Sequence, residues 1–159
     1  MKKLEIGLGH DCNASCVFCY SAITKNKMTM PKEKAKEILY YYINKGYKYV
    51  SFTGGDPAIR KDILPLIKHA KKLGYKHVEL KTNLFMLSYP IFVKKLENCG
   101  LDLISFSIFG FGDKVYSEIT GINKSYSYVT KALENLKYSS FSLIANILIS
   151  KYSYKDISK

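Results

Sequence analysis

Five short stretches alternate apolar and polar residues in steps of two, the period of a half-buried strand. They are Leu4–Leu8 (LEIGL), Tyr49–Thr53 (YVSFT), His77–Thr82 (HVELKT), Leu103–Ile108 (LISFSI) and Phe141–Ile149 (FSLIANILI). Between them apolar residues recur at helical spacing. Ala35, Ile38, Leu39 and Tyr42 form one stripe, with Pro31 suited to the first helical position and Gly46 closing. Ile63, Leu66, Ile67, Ala70 and Leu73 form a second, closed by Gly74. A third has Ser88 as N-cap, Pro90 just inside, Val93, Leu96 and Cys99 on its apolar face, and Gly100 at its end. Val129, Ala132, Leu133 and Leu136 mark a fourth. The last four strands start 28, 26 and 38 residues apart (49 to 77, 77 to 103, 103 to 141). That spacing predicts repeated βα units, hence an α/β fold with a parallel sheet and right-handed crossovers, open or curled into a barrel.

The strands are polar on one side. Ser51 and Thr53 oppose Val50 and Phe52. Glu79, Lys81 and Asn83 oppose Val78 and Leu80. Ser105 and Ser107 oppose Ile104, Phe106 and Ile108, and Ser142 and Asn146 share a face of the last strand. A closed eight-stranded barrel is filled with branched apolar side chains. Here the expectation is helices on one face and, on the other, a cavity for a polar ligand. The alternative is a sheet whose second face meets water. The link from Leu8 to Pro31 is about 22 residues without clear periodicity. Loops of that length in compact domains are usually functional or disordered.

The 159 residues predict one domain spanning 1–159. No apolar run approaches the roughly 20 residues that span a bilayer, and the start lacks the apolar core of a secretory signal. The expectation is a cytoplasmic chain with no membrane partner. The formal charge is +12, nearly all lysine, with Arg60 the only arginine. Spread along helix faces, the lysines read first as a solvated surface. A nucleic-acid partner such as RNA is the lesser reading. His69 and His77 read as surface side chains, and the tyrosines of YYYINKGYKY as helix packing.

Three of the four cysteines fall in the long link as C-x3-C-x2-C: Cys12, Cys16 and Cys19. Without an export signal, clustered thiols read as metal ligands or a redox site. Three thiolates on one short loop can ligate three irons of a cuboidal iron–sulfur cluster and leave the fourth open. Asn13, Ala14 and Ser15 are small enough for the backbone to curl. Two other readings compete. The cysteines could form the buried stripe of a helix. They could also bind structural zinc, completed by His10 or Cys99, which would make the chain a small zinc-binding interaction protein.

These residues resemble the radical S-adenosylmethionine (SAM) superfamily. CNASCVFC matches the family's C-x3-C-x-aromatic-C, with Phe18 as the aromatic. TGGDP (Gly54, Gly55, Asp56, Pro57) stands where the family has Gly-Gly-Glu-Pro after the second strand, with Asp for Glu. Thr82, Asn83 and Leu84 stand where Thr-Asn-Gly is common, so the glycine is lost and that loop is expected to differ. The segment SIFGFGDKVYSEITGINKSYSYVTKALENL is similar to that of enzymes modifying ribosomal peptides, which would make the substrate a peptide.

The resemblance implies a partial TIM-like (β/α) barrel with about five βα units of the family's usual six. It implies a [4Fe-4S] cluster on Cys12, Cys16 and Cys19. SAM would contact Phe18, Gly54, Gly55, Asp56, Thr82, Asn83, Ser107 and Asn146. The activity implied is reductive cleavage of SAM to methionine and a 5′-deoxyadenosyl radical that takes a hydrogen atom from substrate, fed by a one-electron reductant protein. No residue is assigned to chemistry on the substrate. A last helix is expected from Tyr154, and the core is short at its C-terminal side. The chain is then a minimal enzyme, an excerpt, or a non-catalytic module that binds cluster or SAM.

Overall fold

A computed structural model describes residues 2–20 and 28–156. Five parallel strands form one sheet in consecutive order. They are β1 (Lys3–Gly7), β2 (Tyr49–Thr53), β3 (His77–Thr82), β4 (Leu103–Ile108) and β5 (Ser142–Ile147). The helices are α1 (Lys32–Asn44), α2 (Ile63–Leu73), α3 (Pro90–Glu97), α4 (Asp113–Thr120) and α5 (Ser125–Leu136). Consecutive order with crossovers of one hand puts the helices on one face, the geometry of a barrel segment. The alternation in the strands meets this demand. Leu4, Ile6, Val50, Phe52, Val78, Leu80, Ile104 and Phe106 are buried against the helices. Cys99 is buried in the same core.

Several local expectations change. Pro31 is the N-cap of α1 rather than its first residue. Tyr89, not Ser88, precedes α3, and Ser88 Oγ donates to Phe85 O (2.7 Å) to close the 3-10 turn Phe85–Ser88. Helix α4 was not expected. Its two turns carry only Tyr116, Ile119 and Thr120 as buried residues, a mixed and short signal. Of the tyrosines in and just after α1, Tyr40 and Tyr41 face solvent, and Tyr42 and Tyr47, the latter beyond the helix end, are half-buried against the core. Strand β5 is exposed at every position, so its Leu143 and Ile147 do not pack on a helix. Among the described residues no helix follows to cover it; Tyr154–Asp156 forms a 3-10 turn, and the expected continuation lies outside them.

The polar face organises itself around Glu79, which is 1% exposed. Lys3 Nζ lies 2.7 Å from its carboxylate, Tyr49 donates at 2.9 Å, and Ser105 Oγ donates to its other oxygen. Burial pushes the Glu79 carboxyl up. The hydrogen bonds of Lys3, Ser105 and Tyr49 outweigh it and hold the group down at about 2. One strand-row further, Lys81 pairs with Glu5 across β2. The inner face is therefore polar, as its pattern demands, but near β3 the chain's own ion pairs supply the partners.

Candidate functional site

The cysteine loop leaves the C-terminal end of β1, where sites of parallel α/β folds gather. Both ends of the link are pinned at one point. Leu8 O accepts from Met30 N (2.9 Å) and from Arg60 Nη1 (2.7 Å), and Arg60 Nη2 donates to Met30 O (3.0 Å). Asp62 pairs with the same guanidinium at 2.8 Å. The lone arginine thus forks across the neck of the loop, a geometry that a lysine cannot copy.

The Gly-Gly turn after β2 docks on the backbone just before Cys12. Gly55 N donates to Gly9 O (2.7 Å) and Asp56 N to Asp11 O (2.8 Å). A Cβ on Gly54 would lie 2.4 Å from Gly9 O, and one on Gly55 would lie 2.1 Å from Asp11 O. Gly54 also sits at φ +140, where L side chains are rare. The glycines permit close approach, and the neighbour they approach at these positions is the loop's own main chain.

Asp56 is 1% exposed. It accepts from Ala58 N (3.0 Å) and from Thr82 Oγ1 (3.1 Å). Burial pushes its carboxyl up to about 6, with the hydrogen bonds from Ala58, Thr82 and the Asn83 backbone pulling the other way. Thr82 is buried too, and its hydroxyl accepts from Leu84 N (3.2 Å). Asp56 and Thr82 therefore brace the ends of β2 and β3 against each other. Leu84 keeps the left-handed conformation a glycine would take there (φ 73, ψ −12) and buries its side chain completely. The loop was expected to differ with the loss of glycine; in this chain Leu84 itself takes the left-handed conformation, held by packing.

The middle of the cysteine loop rests on the end of α4. Ser15 N donates to Thr120 O (2.8 Å) and Val17 N to Ile119 O (2.9 Å), so the loop satisfies carbonyls the helix leaves open. Phe18 is half-exposed and meets Phe109 edge-on (5.5 Å), which stacks in turn on Tyr116. Cys19 N donates to Cys16 O (2.9 Å), curling the loop between the two thiols. Neither that turn nor the docking makes a buried helical stripe of the cysteines, since Cys12 is exposed and the other two only partly covered.

Burial, then the charges of Cys12 and Cys19, push the Cys16 thiol up to about 11. Burial also raises Cys12, with Asp56 and Cys19 adding to it. Three thiols that feel one another this way repel as thiolates, and a cationic cluster relieves that repulsion. Among the described residues no group of three or more His, Cys, Asp or Glu side chains converges to hold a single metal ion. Cys99, buried at the end of α3, is not available to complete one. The donor set fits a multi-iron cluster, in which each thiolate meets a different iron, better than tetrahedral zinc.

Of the other expected site residues, Ser107 and Asn146 lie level in the β4–β5 register, on the polar face near the strand ends. Asn146 Nδ2 reaches Phe106 O only at 3.4 Å. Asn83 turns to the cysteine loop, 2.7 Å from Asn13 Oδ1. A cleft of about 470 Å³ opens beside Gly54, between Gly7, His10, Thr29 and Lys34. A cleft of about 600 Å³ lies instead on the outer flank of α1, around Tyr41 and Lys45. Arg60, Ile119 and Thr120 were not anticipated as parts of the site, nor was the contact of the Asn13 side chain with Asn83. Only Arg60, as the single arginine, carried a signal that could have been followed.

A family model for the radical SAM superfamily matches residues 6–158. The chain is 30% identical over 152 residues to a "probable GTP 3′,8-cyclase" of Sulfurisphaera tokodaii, covering 95% of this chain and 48% of that protein. It is 29% identical over 133 residues to the like-named protein of Thermoplasma volcanium, covering 83% and 40%. It thus spans about half the length, or less, of these curated relatives. In fold it is similar to Streptococcus suis SuiB bound to S-adenosylmethionine, with a TM-score of 0.80, 23% identity and coverage of 98% of this chain and 36% of that one. Methylornithine synthase superposes with a TM-score of 0.74 at 18% identity, covering 91% and 44%. The matched span runs from β1 through the cysteine loop to the residues after β5, and the chain belongs to the radical SAM superfamily.

Proposed function

We propose that Cys12, Cys16 and Cys19 hold a [4Fe-4S] cluster with one iron left open, and that SAM binds there and is cleaved reductively. The observation that carries this is the seating of three free cysteines on one loop, clamped at its neck by Arg60 and in its middle by α4. When bound, the cluster supplies the electron that breaks the carbon–sulfur bond of SAM, giving methionine and a 5′-deoxyadenosyl radical. The chain's residues do the positioning. The Gly54–Gly55 turn offers backbone beside the loop, Ser107 and Asn146 offer polar atoms at the ends of β4 and β5, and Phe18 offers an aromatic wall. Asp56 and Thr82, both buried, fix the shape of the turn rather than reach the ligand. The electron comes from a one-electron reductant protein.

Anaerobic reconstitution with iron and sulfide should give a brown protein with broad visible absorption. Reduction with SAM present should then release 5′-deoxyadenosine. Changing Cys12, Cys16 or Cys19 to Ala should abolish that release, and turnover in such a variant would end the assignment. The sequence relatives are named for GTP, and SuiB has been solved with its precursor peptide SuiA. Addition of GTP or of a peptide in the same assay separates the two substrate classes by which one raises 5′-deoxyadenosine formation.

A further inference from the structure

We propose that Asn83 is a positioning residue that acts on Cys12 and raises the reduction potential of the cluster. This rests on the reading that Cys12 ligates one. The side-chain amide sits where its orientation is determined. Its Oδ1 accepts from Phe85 N (3.0 Å), so Nδ2 must point the other way. There it lies 2.7 Å from Asn13 Oδ1 and 3.7 Å from Cys12 Sγ, within reach for a sulfur acceptor. An amide nitrogen carries two hydrogens, and these two partners use both. Asn83 therefore spends its donors on the loop that carries the cysteines, and none remains for SAM.

The residue is held in place from both sides. Thr82 is tied to Asp56 (3.1 Å) on the end of β2. Leu84 is fixed in a left-handed conformation by a completely buried side chain and by its N–H on Thr82 Oγ1 (3.2 Å). Leucine in that region is uncommon, and such strained positions persist where the surroundings over-determine them. The result is a donor aimed at Cys12 from a rigid strand end, 71 residues away in sequence.

The physical consequence follows from charge. A hydrogen bond to a ligand sulfur stabilises negative charge on it, and the reduced cluster carries one more negative charge than the oxidised one. The bond is stronger in the reduced state, and the potential rises. The Asn13 contact holds the loop at the distance where this bond forms.

The test is a stepwise dithionite titration of the reconstituted protein without SAM, followed by electron paramagnetic resonance, with iron and sulfide counted beforehand. Asn83→Ala removes the donor. Asn83→Ser keeps an acceptor for Phe85 N–H but is too short to reach Cys12. Both are expected to load iron like the parent and to lower the reduced-to-oxidised ratio at a fixed potential about tenfold, which is about 59 mV for a one-electron couple. Unchanged potentials at full loading would overturn the inference, and so would loss of cluster binding in both variants, which would leave a folding role only. If the parent itself takes up no cluster, the underlying reading fails instead.

Discussion

Gly55→Ala puts a methyl group where the cysteine loop's backbone already lies. The new Cβ would sit 2.1 Å from Asp11 O, 2.6 Å from Asp11 C and 2.7 Å from His10 C, whereas ordinary contact begins at 3.4 Å. The turn and the loop must separate by 3.4 − 2.1 = 1.3 Å, and both partners are main chain, so no side chain can swing aside. Separation breaks Gly55 N to Gly9 O and Asp56 N to Asp11 O. Each bond contributes about 1 kcal/mol net, and overpacking of a tight site adds about 1–3 kcal/mol. The expected loss is about 3–5 kcal/mol, a large share of the stability of a typical domain. Gly46→Ala is the control, since Gly46 has φ +82 but open space around its Cβ direction. It should cost only the left-handed backbone term, about 1–2 kcal/mol. Urea unfolding followed by circular dichroism gives both values, and iron counting gives the loading. Equal losses in the two variants, with full loading of Gly55→Ala, would refute the idea that backbone docking of this turn shapes the site.

Glu79 gives a pH signature. Its carboxyl ordinarily titrates at 4.5 and is held at about 2 in the fold, so its contribution is complete above the higher value and is lost as pH falls toward the lower. The difference amounts to about 3 kcal/mol, and it should vanish from the stability–pH curve of Glu79→Gln between those limits. Arg60→Lys keeps the charge but loses the fork on Leu8 O and Met30 O; about 2 kcal/mol of stability and much of the iron loading should go, read by urea unfolding and iron assay. Leu84→Gly relieves about 1–2 kcal/mol of backbone strain but empties a fully buried leucine site that holds about 2–5 kcal/mol. Calorimetry should find it less stable than the parent, and a more stable variant would mean that strain, not packing, dominates there.

The strand and helix order was readable because each unit obeys the period its environment imposes: Val50 and Phe52 alternate with Ser51, and Leu66, Ile67 and Ala70 recur on one helix face. The cysteine loop was readable because three thiols in eight residues have few other uses. What lay hidden depends on contacts between residues distant in sequence. Nothing local in Arg60 says that it closes the neck of a loop 30 residues behind it. Nothing in Ile119 or Thr120 announces that their carbonyls receive Ser15 and Val17. The exposure of β5 was missed for the same reason, since its pattern matches strands that have a helix to cover them.

The seat on α4 has a bearing on the order of assembly. The bond from Ser15 to Thr120 spans 105 residues, and such long-range closures form after local ones. The sulfur donors are synthesised about 100 residues ahead of the fourth helix and wait for it before they have a surface to settle on. Metallation of that segment before α4 is made would therefore meet an unorganised chain, and insertion of the inorganic core should follow, rather than nucleate, collapse of the sheet.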